Sequence, residues 1–263
     1  MNKAIVVKIG GATLGSHDTA IEDMVYLQQQ GRLLVVVHGG GKLITEWLLK
    51  HGISSRFVRG ERVTDEATLA VVTSVLAGLV NKEIVAEISS LGGQAVGISG
   101  VDGSLIQGKI KDIKLGYTGT VVSINLAPLE AILRAGYIAV VAPVSLHLDR
   151  PDGASPVLNI NADAVAGEIA AAIGAESLIL LTDVAGICDQ SGNLLPGLSP
   201  SEAEALMASG VISGGMIPKV EAALRALSTT STASIIDGRQ PHALLREIEG
   251  HGGGTRIEAA GQR

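Results

Sequence analysis

Apolar residues along this chain recur in two alternating modes: short β-branched runs closed by glycine, and longer segments with apolar positions three and four apart. The alternation predicts strands and helices in turn. Ala4 to Val7 predicts a buried strand that Gly10-Gly11 ends. Asp18 to Gln30 then places Ile21, Met24, Val25 and Leu27 at near-helical spacing, with Ser16 or Asp18 as N-cap and Gly31 as stop. Leu33 to Val37 predicts a second strand that runs into His38-Gly39-Gly40-Gly41. From Lys42 the positions Leu43, Ile44, Trp47 and Leu48 are again helical, which makes a βαβ unit and points to a parallel sheet. Phe57 to Thr64 is a polar, Arg-rich excursion. Glu66 to Ser89 predicts a long helix burying Leu69, Val72, Val75, Leu76, Leu79, Val80 and Ile84.

Further strands are predicted over Ala95 to Ser99 and Tyr137 to Val144, with a helix over Leu126 to Leu133 between them. Asp102 to Ser123 is turn-rich and alternating, and reads as an antiparallel hairpin laid over one edge of the sheet. Arg150 to Pro156 could pass for an interdomain linker, but its shortness and the strand pattern at Val157 to Ile160 favour a hairpin tip. Helices follow over Ala162 to Ile173, Ser199 to Ser209 and Lys219 to Ala226, with strands at Ser177 to Leu181 and Ser234 to Ile236.

Composition narrows the class. The chain has 263 residues, 46% of them hydrophobic, enough for a substantial core, while 34 glycines and 2% aromatics suit many tight strand–helix turns around Val, Ile, Leu and Ala. This favours α/β. A net charge of -6 argues against a nucleic acid or an anionic membrane as main partner, so any basic pocket must be local. The single cysteine, Cys188, excludes an intrachain disulfide and suits a reducing cytosol. No signal peptide or membrane span is read, and a cytoplasmic setting is expected.

Candidate chemistry sits at the glycine turns. Lys8 ends the first strand beside Gly10 and Gly11, and open α/β sheets bind ligands at the carboxyl ends of their strands. A solvated lysine at a turn explains that stretch equally well when taken alone. His38-Gly39-Gly40-Gly41 follows a strand and opens a helix, where successive N–H groups can converge on an anion, and three glycines are more than a tight turn requires. It is not a Walker A loop, because Lys42 is followed by Leu43, and a dinucleotide fingerprint is also missing. Arg62 could hold a carboxylate through two parallel hydrogen bonds, although a lone arginine is more often solvated. For Asn159-Ile160-Asn161-Ala162-Asp163, an N-cap and a first-turn acid suffice on sequence alone. Gly214-Gly215-Met216-Ile217-Pro218-Lys219 brings a second lysine to a helix start with Pro218 as ordinary first-turn proline, and Lys8 with Lys219 suggests a charge clamp.

Taken together, KIGGATL, VVVHGGGK, FVRGERVTDE, AGLVNKEIV, AVGISGVDG, YTGTV, YIAVVAPV, LNINADAVAGEIA, LILLTDVAGI, SGGMIPKVEAAL and IIDGRQPHALLREI resemble, end to end, the successive blocks of the N-acetylglutamate kinases in the amino-acid kinase superfamily. The resemblance implies a three-layer α/β/α sandwich around a central, mostly parallel sheet. It implies an N-terminal lobe (1–172) for the acyl amino acid and dimerisation, and a C-terminal lobe (173–263) for the nucleotide. The implied activity is ATP-dependent phosphorylation of the γ-carboxylate of N-acetyl-L-glutamate, the second step of arginine biosynthesis.

Carried over by block, Lys8 and Lys219 would lie on the transferring phosphoryl group and Asp163 would orient them. Gly40, Gly41, Arg62 and Asn159 would hold the acyl amino acid. Gly10 and Gly11 would contact phosphate, and Asp183, Val184, Gly186, Ile187 and Ser213 would form the nucleotide pocket. Mg²⁺ would ride on the nucleotide phosphates with no protein ligand. The chain departs from the family pattern at Lys42, where proline is usual, at Arg59, where asparagine is usual, and at Leu14, where methionine is common. Arg59 lies near the substrate arginine and bears on which acid is accepted. Two alternatives stand beside this reading: a carrier-protein-linked aminoadipate or glutamate kinase, and a non-catalytic nucleotide-binding sensor. Family members inhibited by arginine carry an extra N-terminal helix that joins dimers into a ring. With seven residues ahead of Lys8, the expectation here is a homodimer closed by the Glu66 to Ser89 helix, with weak or absent arginine inhibition.

Overall fold

Strand β1 (Ile5–Ile9) is buried along its whole length and pairs in parallel on both sides, with β2 (Leu34–His38) and with β11 (Ser177–Thr182). In the computed structural model, which describes residues 3–10, 19–58 and 60–258, the remaining elements follow in chain order. Helix α1 is Ala20–Gln29 and α2 is Gly41–Lys50, after which β3 (Phe57–Val58) and β4 (Glu61–Arg62) form a small antiparallel ribbon. Helix α3 spans Glu66–Ser90 and is followed by β5 (Ala95–Ser99), β6 (Ile106–Ile110), β7 (Thr118–Ile124), α4 (Ala127–Arg134), β8 (Ile138–Ala142), β9 (Val144–His147) and β10 (Val157–Ile160). Helix α5 (Ala162–Ile173) precedes β11. The chain continues through β12 (Gly197–Leu198), α6 (Pro200–Ala208), α7 (Ile217–Ala226), β13 (Thr232–Asp237), α8 (Ala243–Ile248) and β14 (Thr255–Glu258).

The main sheet has eight strands in the order β12-β14-β13-β11-β1-β2-β8-β5, and its pairs are parallel except for β13 with β14. Because side chains alternate across a strand, the sheet sorts its residues into two apolar layers. Val6, Val35, Val37, Leu178 and Leu180 face α5 and α7, while Val7, Ile9, Val36, Ile179 and Leu181 face α1, α2 and α3. Both faces are therefore covered, as a parallel sheet requires, and the three-layer α/β/α expectation holds.

Two departures from the sequence reading have physical causes. The apolar run from Tyr137 to Val144 is two strands: β8 stays in the main sheet, and Pro143, which cannot donate to a ladder, marks the step to β9. The hairpin expected within Asp102 to Ser123 exists as β6 and β7, but it closes with β9 and β10 into a four-stranded barrel instead of lying over a sheet edge. Arg150 to Pro156 is the tip joining antiparallel β9 and β10, as read. The proposed caps Ser16 and Asp18 lie outside the described residues, and α1 begins at Ala20 after Thr19.

Helix α3 carries its own irregularity, a π-helical turn over Ser74–Val80. Its buried residues Val72, Leu76, Val80, Ile84 and Ile88 are four apart, a spacing that would walk round an ideal 3.6-residue helix, and the wider turn keeps them facing the sheet. By length and composition α3 could cross a membrane, yet these residues belong to the core. The outward row is small: Ala67, Ala70, Ser74 and Gly78.

Candidate active site

The carboxyl ends of β1, β2 and β11 converge, and the side chains there meet in pairs that the sequence separates widely. Lys8 shares the face of Val6, towards α5, whose first turn presents Asp163. Asn161 caps that helix by accepting the N–H groups of Asp163 and Ala164, so the capping explanation is right for Asn161. Asp163 has a different role. Its Oδ2 accepts from Lys219 Nζ at 3.0 Å, and its Oδ1 lies 2.8 Å from Lys8 Nζ. The Lys8 approach is poorly aligned for a hydrogen bond, so that contact is principally charge on charge.

Asp163 is 5% exposed and Lys8 7%. Burial pushes the Lys8 ammonium down, with Asp163 opposing and Lys219 adding to the shift. Burial would raise the Asp163 carboxyl, but the two lysines hold it below the usual carboxylate range. One buried carboxylate between two lysines leaves the bridge itself with a net positive charge, which the exposed Asp183 nearby offsets only from solvent and which an incoming anion would complete.

Across from this cluster, Gly40 and Gly41 open α2. A Cβ at Gly40 would come 2.8 Å from Leu76 Cδ2, so the turn is glycine there because it lies against α3. Arg62 is buried and not solvated. It donates to the Gly41 carbonyl (3.0 Å), Thr45 Oγ1 (2.9 Å) and Ser55 Oγ (2.8 Å), with Phe57 stacked on its guanidinium at 4.7 Å. Asn159, on β10, donates to Thr64 Oγ1 at 3.2 Å. Thr118 Oγ1 donates to the Arg62 carbonyl at 2.6 Å and lies 3.0 Å from Thr64 Oγ1. Thr64 and Thr118, both buried, are the parts of this wall that sequence reasoning missed. No local sequence pattern announces a contact between two threonines 54 positions apart.

On the other flank, Asp183 and Val184 are exposed just past β11, and the Asp183 carboxylate is close enough to Lys8 to oppose slightly the lowering that burial imposes on it. Gly186 is held against Thr255 and Leu194 with φ +150, a conformation that side chains avoid. Ile187 faces the core and gives its N–H to Thr255 Oγ1 at 2.8 Å, so it shapes this loop from behind. Ser213 is exposed and precedes the 3₁₀ turn Gly214–Met216 that feeds α7 and Lys219. Gly10 adjoins Gly39, whose N–H bonds Ile9 O at 2.9 Å. Gly11, with Leu14 and Arg59, lies outside the described residues.

A doubly covered sheet with a buried Lys–Asp–Lys bridge at its carboxyl edge defines an enzyme built to receive anionic small molecules. Comparison with known proteins narrows this. The model of the amino acid kinase family matches residues 3–237. An acetylglutamate kinase of Dehalococcoides mccartyi is 48% identical over 97% of this chain and 94% of its own. Among solved structures, N-acetylglutamate synthase of Neisseria gonorrhoeae in complex with coenzyme A and N-acetyl-glutamate superposes with a TM-score of 0.83 at 26% identity, over 97% of this chain and 59% of that one. Carbamate kinase of Giardia lamblia shares the fold, with a TM-score of 0.70 at 14% identity over 98% and 99% of the two chains. The chain belongs to the amino acid kinase family, in its acetylglutamate kinase branch.

Proposed function

We propose that this kinase transfers the γ-phosphoryl group of ATP to the γ-carboxylate of N-acetyl-L-glutamate, giving N-acetyl-L-glutamyl 5-phosphate and ADP. The observation that carries the reading is the Lys8–Asp163–Lys219 bridge facing the glycine turn that Arg62 supports. A carboxylate oxygen of the acid forms the new O–P bond as the bond from phosphorus to the β–γ bridging oxygen breaks. The carboxylate is already ionised at neutral pH, so no general base is needed.

Lys8 and Lys219 neutralise the charge spread over the transferring group, and Asp163 keeps both extended towards it. Arg62 and Asn159 hold the acid, with the N–H groups of Gly40 and Gly41 facing it. Gly10, Gly11 and the loop of Asp183, Val184, Gly186 and Ile187, with Ser213, border the nucleotide. Among the described residues no group of three His, Cys, Asp or Glu could hold a metal. Mg²⁺ would be carried on the nucleotide phosphates, where it would neutralise charge. The proposed division between lobes falls at the end of α5, with β1 pairing across it to β11, and lobe closure would exclude water. A homodimer through the small outward row of α3 and a cytoplasmic setting complete the reading.

The test is ADP release with ATP, Mg²⁺ and either free N-acetyl-L-glutamate or a carrier-bound glutamate or aminoadipate, with the acyl phosphate trapped as its hydroxamate. Turnover of the free acid is expected. Turnover of the carrier-bound acid alone, or of neither, would overturn the assignment.

A further inference from the structure

His38 is the last residue of β2, fully buried, and plays no part in the chemistry above. Its ring nitrogens are both engaged. Nδ1 lies 3.1 Å from the carbonyl oxygen of Gly39, and Nε2 lies 3.2 Å from the amide nitrogen of Asn81. A carbonyl can only accept and an amide NH₂ can only donate, so one protonation state satisfies both: neutral imidazole with the proton on Nδ1. Burial independently holds the ring's pKa down at about 4.

Asn81 is itself fixed. Its two N–H hydrogens are shared among His38 Nε2, Val140 O (3.0 Å) and Ile98 O (3.3 Å), which ties β8 and β5 to the carboxyl end of β2. Lys82 Nζ donates to Asn81 Oδ1 at 3.0 Å and to Gly97 O at 2.8 Å. Room for this arrangement is made in the backbone, since a Cβ at Gly97 would overlap Asn81 Oδ1 and lie 2.9 Å from Lys82 Nζ. The π-helical turn Ser74–Val80 ends immediately before Asn81 and sets its phase towards the sheet.

The consequence concerns one peptide plane. The Gly39 carbonyl, which His38 holds, and the Gly40 N–H are opposite ends of the same rigid unit, so fixing the oxygen fixes the direction of the N–H. Among the described residues neither the Gly40 nor the Gly41 N–H has an acceptor. We infer that His38, oriented by Asn81 and Lys82, is a positioning residue for the acyl amino acid: through the Gly39 carbonyl it aims the Gly40 N–H at the substrate and anchors the start of the turn that presents the Gly41 N–H. This deepens the reading of these glycines given above and rests on it.

The two nitrogens can be tested separately. In His38→Asn the amide NH₂ stands near the place of Nδ1 and retains the donor to Gly39, whereas His38→Gln reaches towards Asn81, and His38→Leu keeps neither bond. We expect His38→Asn to leave KM for N-acetyl-L-glutamate within about threefold of wild type. His38→Gln and His38→Leu should raise it about tenfold or more, the scale of one hydrogen bond to a charged substrate, with KM for ATP little changed. Two readouts need no substrate. The ¹⁵N shifts of His38 should report the Nδ1–H form from pH 5 to 8, and the Gly40 and Gly41 amide resonances should move in His38→Leu but not in His38→Asn. Equal KM values for the Asn and Leu variants, an Nε2–H ring, or unmoved glycine amides would overturn the inference. Glycine amides that respond as expected in an enzyme inactive on the free acid would retain the positioning role and discard the substrate assignment.

Discussion

Lys219 reaches Asp163 across 56 positions of sequence and binds it at 3.0 Å, on the carboxylate oxygen opposite the one that faces Lys8. A single carboxylate thus holds apart two ammonium groups that would otherwise repel, and each lysine depends on the other's partner.

Removing that carboxylate should be costly in two separable ways. Asp163→Ala leaves two unpaired cations in a nearly closed site and should destabilise the chain by about 3–5 kcal/mol in urea unfolding. It should also lower kcat by about 10²-fold or more, since the lysines are no longer held in place. The double variant Asp163→Ala with Lys8→Met should regain much of the stability and none of the activity. A double variant no more stable than Asp163→Ala would show that the lysines do not repel.

The alkaline limb of activity should carry the signature of Lys8. Its pKa is lowered below 10.5, so the ammonium is lost, and kcat falls, at a pH below that value. Stability should move the other way. Between the folded pKa and 10.5 the unfolded chain binds the extra proton, so this group's contribution rises with pH. Stability profiles of wild type and Lys8→Met, taken as a difference, isolate it. Lys8→Arg, which keeps its charge, should show a lower kcat and no such limb.

His38 makes the opposite end of the pH range informative. With a folded pKa of about 4 against 6.5 for the unfolded ring, the unfolded chain binds the proton first as pH falls. This costs stability progressively through that window and no further below it, by about 3 kcal/mol in all. Lys82 is the charged neighbour that adds to the depression. His38→Asn should remove this part of the acid sensitivity. Parallel acid profiles for wild type and variant would contradict the neutral buried ring.

How much of this was legible beforehand depended on distance along the chain. Helix α5 is read at its true limits because Asn161 and the apolar face of Ala162 to Ile173 are local signals, and the same holds for β5 and β10. The same local logic assigns Asp163 to a helix first turn, and only the family blocks hinted at its lysines, because an ion pair between residues 56 apart leaves no periodicity. The short β14 and α8 went unread. Four alternating residues and six helical ones give a period too few repeats, and β14 is defined by pairing antiparallel to β13. The barrel is also non-local, since nothing near Thr118 announces that Asn159 will pair beside it.

The contact between Gly40 and Leu76 offers a sharper test of the glycine turn than deleting any charged group. The variant that probes it is Gly40→Ala, at the N-cap of α2. Its penalty is steric: the new methyl would come 2.8 Å from Leu76 Cδ2. In a close-packed interior the turn or α3 must yield, and a turn displaced by a few tenths of an ångström carries its N–H groups off the acid. Gly40→Ala should therefore raise KM for N-acetyl-L-glutamate about tenfold while KM for ATP stays near wild type. Leu76→Ala alone should cost about 2–5 kcal/mol of stability with little change in either KM. The double variant is decisive, because the shortened side chain makes room for the added methyl, so KM for the acid should return towards wild type although the protein remains less stable. Additive KM effects in that cycle would mean that Gly40 serves the substrate through its own lack of a side chain, and not through its fit against α3.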